Sequence, residues 1–433
     1  MLSREDNELL MRTNAGTPMG ELMRRFWIPF MMSRELPESD GAPQRVRLLG
    51  EQLLAFRDTL GRVGLVDELC PHRRASLFYG RNEECGIRCT YHGRKFDVTG
   101  TCVDSPTTAH LGLKREMSIK AYPVREAGGV LWAYMGPAGT EGDLPPFEWL
   151  DLPESHRYMS RNVMDCNYFG AMEGEMDSTH LGFAHRRFDK ERPDTDKSAI
   201  YGAYAIGDPA PPLTYERTPY GLVMSAARKA DSGRRYWRIN HFLIPFFTMI
   251  TGPIGGPSLM RLWAPLDDEH VSVIHISYRH DQPLTQTDLE QFRSGEVGHP
   301  ILIPGTLRAT ANRDNDYLID RGLQKTAIYT GIVGVRAQDS ALTESAGALP
   351  DRTLEHLAAT DAVIVAARRV MLDAARDMAR GVPPAGARSI DTYGVRPRST
   401  LLPEGMNYKD SAAFVEELTG VKRPERTRTE VQP

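Results

Sequence analysis

Four side chains early in the sequence have the types and spacing to bind iron. Cys70-Pro71-His72 and Cys89-Thr90-Tyr91-His92 form the pattern C-x-H-x16-C-x2-H. Two thiolates and two imidazoles would also suit zinc, but zinc fingers space their ligands C-x2-4-C and H-x3-5-H. Here each half pairs one Cys with one His, so two loops could each deliver one ligand to each metal of a [2Fe–2S] centre. Thiolates would hold one iron and imidazoles the other, which raises the reduction potential above that of an all-thiolate cluster and suits an intermediate electron carrier. Pro71 stiffens the first loop and Gly93 lets the second turn tightly. Cys85 and Cys102 fall outside the spacing and read as small buried thiols.

A second group, Asp177-Ser-Thr-His180-Leu-Gly-Phe-Ala-His185, has the pattern D-x2-H-x4-H. Asp177 and His180 are three apart and would share a helix face. His180 and His185 are five apart, about 140° around a regular helix, so they converge only if the helix ends or unwinds near Gly182. Two histidines and a carboxylate from elsewhere, with coordination positions left open, make the facial triad of non-haem Fe(II) oxygenases, where O₂ can bind. Asp177 is then better placed to accept a hydrogen bond from His180 and fix its tautomer.

The elements that must position these groups differ between the two halves. Residues 8–27 carry an amphipathic pattern broken at Gly16-Thr17-Pro18, which predicts two short helices feeding the first sheet. From about residue 45 the period becomes two, with Gly128-Gly129 as a hairpin turn, so residues 40–136 read as a small, mostly antiparallel β domain. The stretch 137–154, rich in Pro, Gly and acidic residues, marks the boundary. Beyond it, strands over 236–247 and 271–279 and an amphipathic helix over 361–380 describe an α+β unit. The domains expected are 1–145, with the N-terminal helices and the [2Fe–2S] centre, and 146–433, with the mononuclear iron and a polar tail.

Composition narrows the class. The chain has 433 residues, 41% hydrophobic and 25% charged, enough for a large core without disulfides. Fifty-three basic residues against 57 acidic leave −4, so no basic field attracts nucleic acid. No apolar run reaches the ~18 residues of a membrane span, and no signal peptide is visible. The five cysteines are an odd number in a large chain, which fits a reducing compartment and a cytoplasmic location.

CPHRR and CTYHG followed by DSTHLGFAH resemble the alpha subunit of a Rieske non-haem iron aromatic ring-hydroxylating oxygenase. The opening ENELLMRTNAGTPMGELMRRFWIPF and the block NRDNDYLIDR resemble the phthalate dioxygenase-like subgroup, and the likeness covers nearly the whole chain. The resemblance implies an antiparallel β Rieske domain, a helix-grip catalytic domain, a homotrimer or hexamer, and a flavin and iron–sulfur reductase that passes on electrons from NADH. It further implies that Cys70, His72, Cys89 and His92 hold the cluster and that His180 and His185 hold the iron. Asp177 would bridge His180 to a cluster histidine of a neighbouring subunit, with His92 the choice. The run Gln338-Asp339-Ser-Ala-Leu-Thr-Glu344-Ser345 matches the family's third-ligand motif and implies Asp339, with Glu344 and Asp320 as alternatives.

The family's substrates imply a small aromatic carboxylate attacked by O₂ to give a cis-dihydrodiol. A monooxygenase or O-demethylase acting on a methoxy- or phenoxybenzoate is the rival reading, and a non-catalytic electron carrier or a zinc module is more remote. A carboxylate in an apolar pocket needs a charged partner, preferably a bidentate Arg. Arg228, Arg238 and Arg261 lie on or beside the predicted pocket strands, and Arg228 and Arg261 are chosen. The chain departs from the family at Arg74, where Gly is usual, and at Arg94, where Trp is usual. The added charge would raise the cluster's potential or alter reductase docking. Tyr168 also stands where relatives often carry Trp.

Overall fold

The computed structural model describes residues 2–107, 117–188, 203–231 and 233–419. Helix α1 (Arg4–Met11) begins where Ser3 Oγ accepts from the Asp6 amide. Helix α2 (Pro18–Met23) begins where Thr17 caps the Gly20 amide, with Pro18 in the first turn. The break between them falls at Gly16-Thr17-Pro18, where a left-handed Gly and a Pro end one amphipathic run and start another.

The strands that follow are β1 (Trp27–Met32), β2 (Gln44–Leu48), β3 (Glu51–Arg57), β4 (Val63–Asp67), β5 (Arg81–Glu83), β6 (Gly86–Arg88), β7 (Lys95–Phe96), β8 (Cys102–Asp104), β9 (Ala121–Tyr122), β10 (Val124–Ala127) and β11 (Val130–Tyr134). They form three antiparallel sheets in the orders β1-β11-β10, β2-β3-β4-β9 and β5-β6-β7-β8. A small core of Leu54, Phe56, Val66, Leu77, Ile87 and Phe96 lies beneath the cluster loops and includes Cys70, Cys89 and Cys102. Cys85 departs from the expected burial: it sits half-exposed in the turn between β5 and β6, at φ +62°.

The second unit is built on one antiparallel sheet of β12 (Arg157–Met164), β13 (Leu213–Thr218), β14 (Gly221–Lys229), β15 (Arg234–Leu243), β16 (Phe247–Thr251), β17 (Ser258–Pro265), β18 (Val271–Tyr278) and β19 (Arg398–Pro403). Its order is β12-β18-β17-β16-β15-β14-β13, with β19 also paired to β15. Its longest helices are α3 (Tyr168–Met176), α4 (Val335–Ser345) and α5 (Ala362–Ala379). The apolar stripe of α5, including Val363, Ala367, Met371 and Ala375, is buried. α5 packs on β13 and β14 and on α1 and α2.

The main core therefore runs from Leu10 to Tyr393 and joins residues of the first sheet to those of the second. Segment 137–154 joins it rather than standing apart: Trp149 stacks on Trp132 at 6.3 Å and Phe147 meets Phe247 edge-on at 5.2 Å. A buried Trp removes roughly 150–250 Å² from water, about 4–6 kcal/mol before conformational entropy is subtracted. Tyr168 is fully buried, and its hydroxyl donates to the Leu10 carbonyl at 3.1 Å, tying α3 to α1. No helix among the described residues is long and apolar enough to cross a membrane.

Candidate metal centres

The two cysteine loops are copies of one turn. The Cys70 amide donates to the Ala75 carbonyl at 2.9 Å and the Arg74 amide donates back to Cys70 at 2.9 Å. In the second loop Cys89 donates to Arg94 at 2.8 Å and Gly93 donates to Cys89 at 2.9 Å. The fourth residue after each Cys is left-handed: Arg74 at φ +60° and Gly93 at φ +78°. A Cβ at Gly93 would meet Pro106 at 2.8 Å, so this position needs glycine. Arg74 holds the same conformation with a side chain, at about 1–2 kcal/mol of strain.

The turns bury the thiols of Cys70 and Cys89 and leave the imidazoles toward the surface, with the His72 and His92 rings 4.4 Å apart. Burial, reinforced by the adjacent Cys89, pushes the Cys70 thiol up. Two thiols pressed together below the surface become thiolates readily only with a cation between them. This donor set, sulfur inside and nitrogen outside, fits a [2Fe–2S] cluster with one Cys pair and one His pair.

The second centre forms where α3 stops. Asp177 is the extended C-cap of α3, and a separate 3-10 turn, His180–Gly182, carries the first histidine. Asp177 and His180 thus do not share a helix face. The chain breaks between them, and that break swings His180 and His185 together at Nε2–Nε2 3.1 Å. Asp339, from α4, brings Oδ1 to 3.2 Å from His185 Nε2 and 3.6 Å from His180 Nε2. Ligand atoms of these three residues all lie within 4.8 Å of one another, a one-carboxylate, two-imidazole set with room for further ligands.

The alternatives for the third ligand are engaged elsewhere. Asp320 caps the amides of Gly322 and Leu323, and Glu344 accepts from the Tyr317 hydroxyl at 2.6 Å. Burial works to raise the Asp339 carboxyl, but His185, Arg336 and His180 outweigh it and hold it well below the usual carboxylate range. Burial pushes His180 down, toward the neutral form that ligates metals.

Three residues that the spacing does not single out complete the setting. Gln338 Oε1 stands 2.7 Å from His185 Nδ1 while its Nε2 donates to the Ile332 carbonyl at 2.8 Å. The amide orientation is thereby set, so Gln338 accepts from His185 Nδ1 and Nε2 is turned to Asp339; burial lowers this imidazole, but Asp339 and Gln338 outweigh it and push it up. Glu175 and Arg336 form a buried ion pair, and Arg336 also reaches Asp339 Oδ2 at 3.3 Å. Asp177 spends Oδ1 on the Thr179 amide and hydroxyl, at 2.7 and 2.6 Å. Its Oδ2 approaches His180 Nδ1 at 3.8 Å, a close approach but longer than a hydrogen bond.

A cavity of about 240 Å³ opens onto His180, His185 and Asp339 and is lined by Leu181, Ile250 and Leu259 among apolar groups. A benzene ring needs a cavity of only about 150 Å³, so a single substituted ring fits. Of the two arginines chosen from sequence, Arg261 lines this cavity and Arg228 does not. Arg228 is fully buried behind it, donating to the Ser178 carbonyl and hydroxyl. Arg261 is committed to the carbonyls of Met260 and Gly298 and lies 3.8 Å from Glu175. Arg238 also lines the cavity; it donates to the Thr251 carbonyl at 2.8 Å, and its buried Nε has no partner. No ion pair to Arg238 occurs among the described residues.

A donor set fit for a [2Fe–2S] cluster, beside a second one with open coordination positions, is the equipment of a metal-dependent redox enzyme. Residues 26–123 match the Rieske [2Fe-2S] domain and residues 133–429 the LigXa C-terminal domain like family. The chain is 38% identical to the 3-chlorobenzoate-3,4-dioxygenase oxygenase subunit of Comamonas testosteroni, over 98% of this chain and 100% of that one. It is 36% identical to the phthalate 4,5-dioxygenase oxygenase subunit of Pseudomonas putida, over 86% of each. Its fold matches that of NdmA from Pseudomonas putida CBB5 with caffeine, at a TM-score of 0.61 and 17% identity, over 88% of this chain and 98% of that one. The chain belongs to the Rieske aromatic ring-hydroxylating oxygenases, as an alpha-type oxygenase subunit. It is an oxygenase whose cofactors are a Rieske cluster and a mononuclear iron, and such subunits work with a separate reductase and O₂.

Proposed function

We propose that the protein adds both atoms of O₂ to a small aromatic carboxylate of phthalate type, giving a cis-dihydrodiol with two electrons passed from NADH by a flavin and iron–sulfur reductase. In this reading Cys70, His72, Cys89 and His92 hold the cluster, and His180, His185 and Asp339 hold the iron. When bound, the cluster supplies electrons singly and the iron supplies the site at which O₂ is reduced. The protein's own part is to exclude water, orient the ring and keep the imidazoles in the ligating tautomer.

The observation that carries the substrate class is Arg238. Arg261 and Arg336 already share Glu175 and Asp339, whereas Arg238 brings a buried positive charge to an apolar cavity with no carboxylate of its own. An unpaired buried charge costs several kcal/mol, and a substrate carboxylate satisfies it in the bidentate geometry that a guanidinium prefers. The benzoate and phthalate dioxygenase names of the two relatives support the same class.

Asp177, held at the cavity edge by Thr179, serves as the bridge through which an electron arrives from the cluster of a neighbouring subunit, so the working form is a homotrimer or hexamer. A panel of benzoates, phthalates and methoxybenzoates, scored by NADH oxidation coupled to O₂ uptake with the reductase present, tests the reading. A diol from a carboxylated ring is expected. Formaldehyde from a methoxybenzoate would transfer the protein to the O-demethylases, and turnover of uncharged rings alone would remove the role given to Arg238.

A further inference from the structure

Arg94 ends the second cluster loop, and its own carbonyl closes that loop by accepting from Cys89. The residue is only 8% exposed, and its enclosed Nε has no hydrogen-bond partner. Arg73, exposed on the first loop, lies over the Tyr91 ring at 5.4 Å, and two other neighbouring cations are matched by carboxylates. Arg88 pairs with Glu83 at 3.0 Å and Asp104 at 2.8 Å, and Lys95 pairs with Glu84 at 3.0 Å. Arg74, exposed on the first loop, has Asp67 within reach of its charge. Among the described residues no carboxylate forms an ion pair with Arg94.

A buried charge without a counter-ion is strongly unfavourable. Arg94 lies two residues after His92, and its carbonyl is bonded to the Cys89 amide at 2.8 Å, so its charge is anchored on the loop that carries one proposed ligand of each iron. The negative charge that it lacks is therefore the one that the cluster site would provide, and that charge grows when the cluster is reduced.

We propose that Arg94 is the counter-charge of the reduced cluster, holding its midpoint potential above that of the same cluster beside a neutral side chain. The inference rests on the reading that Cys70, His72, Cys89 and His92 are the ligands. The step is the uptake of one electron from the reductase; no bond forms or breaks and no proton need move. A fixed positive charge close by stabilises the form with the extra electron, in proportion to how poorly water screens it. Burial separates Arg94 from Arg74 in this respect: the charge on Arg74 is spread into solvent and shared with Asp67.

The test is a redox titration of the holoprotein followed by the electron paramagnetic resonance of the reduced cluster. In Arg94→Gln, the reduced-to-oxidised ratio at a fixed ambient potential is expected to fall about tenfold, which is a lowering of about 59 mV for a one-electron couple. Arg94→Lys keeps the charge and should keep the potential near that of wild type, and Arg74→Gly should shift it far less. The Gln shift should persist at 1 M salt, where the Debye length is only about 3 Å, because the charge is buried.

Equal midpoints in wild type and Arg94→Gln, or a shift abolished by salt, would overturn the proposal. If Arg94→Gln fails to assemble a cluster while Arg94→Lys succeeds, the charge requirement is upheld at an earlier step; failure of both variants overturns it. Absence of a Rieske signal from wild type would instead overturn the ligand reading, and the proposal with it.

Discussion

Gln338 Oε1 lies 2.7 Å from His185 Nδ1, across 153 residues of sequence, and this contact fixes which nitrogen of His185 faces His180 and Asp339. Removing the acceptor leaves the ring free to turn or to exchange tautomers. Gln338→Leu is expected to weaken iron binding roughly 10–100-fold, the usual effect of losing an orienting partner. Asp339→Ala removes a ligand outright and should take iron per chain from about three to about two, with two remaining in the [2Fe–2S] cluster. Iron analysis beside the visible spectrum of the cluster checks both. A full complement of iron in Asp339→Ala would show that another carboxylate serves.

Asp177→Asn should retain both metals and lose most turnover. The amide keeps one oxygen for the Thr179 contacts but offers an NH₂ where the carboxylate presents Oδ2 toward His180. Stopped-flow oxidation of the reduced cluster with substrate and O₂ present measures the step directly. Oxidation as fast as in wild type, or full activity from a verified monomer, would remove the bridge.

Arg238→Gln should raise KM for a carboxylated substrate much more than it lowers kcat, by roughly 10–100-fold for the loss of a charged hydrogen-bonding partner worth about 1.5–3 kcal/mol. Arg228→Gln should affect iron-site geometry through Ser178 rather than substrate affinity, since Arg228 does not reach the cavity. Steady-state kinetics on both variants separates the two arginines.

Burial pushes His241 down to about 4, while its ring is held between the Tyr220 hydroxyl and the Arg396 carbonyl. Its folded pKa lies below the unfolded value of about 6.5, so between those limits the unfolded chain binds a proton that the folded one refuses. Stability should therefore be fully present above pH 6.5 and fall as pH drops toward 4, by up to roughly 1.4 kcal/mol per unit from this residue. His275 and His299, pushed well down by burial, act with the same sign. Urea unfolding at pH 7, 6 and 5 should show a shallower loss in His241→Asn than in wild type.

Legibility of the fold and site followed how local the signal is. The long helix α5 was readable because its buried Val363, Ala367, Met371 and Ala375 repeat with the helical period. The packing of α1 and α2 on that same helix was not, because an amphipathic face does not name its partner. The pairing of Cys70 with His72 and of Cys89 with His92 is legible because each loop carries both side chains within a few residues, and the fold brings the two imidazoles to 4.4 Å. Asp339 carries no local pattern among the acidic residues and was reached only through resemblance. The break after Met176 was misplaced because helical spacing between Asp177 and His180 looks the same whether or not the helix continues. Arg228 and Arg238 sit on neighbouring strands, and only the three-dimensional register tells which one reaches the cavity.

The most direct test is a single turnover of the chemically reduced protein with an aromatic carboxylate under ¹⁸O₂. The expected product is a cis-dihydrodiol carrying two ¹⁸O atoms, formed as the cluster signal disappears. A product with one labelled atom, or oxidation of the cluster with hydrogen peroxide as the only product, would contradict the assignment of dioxygenase chemistry to the site formed by His180, His185 and Asp339.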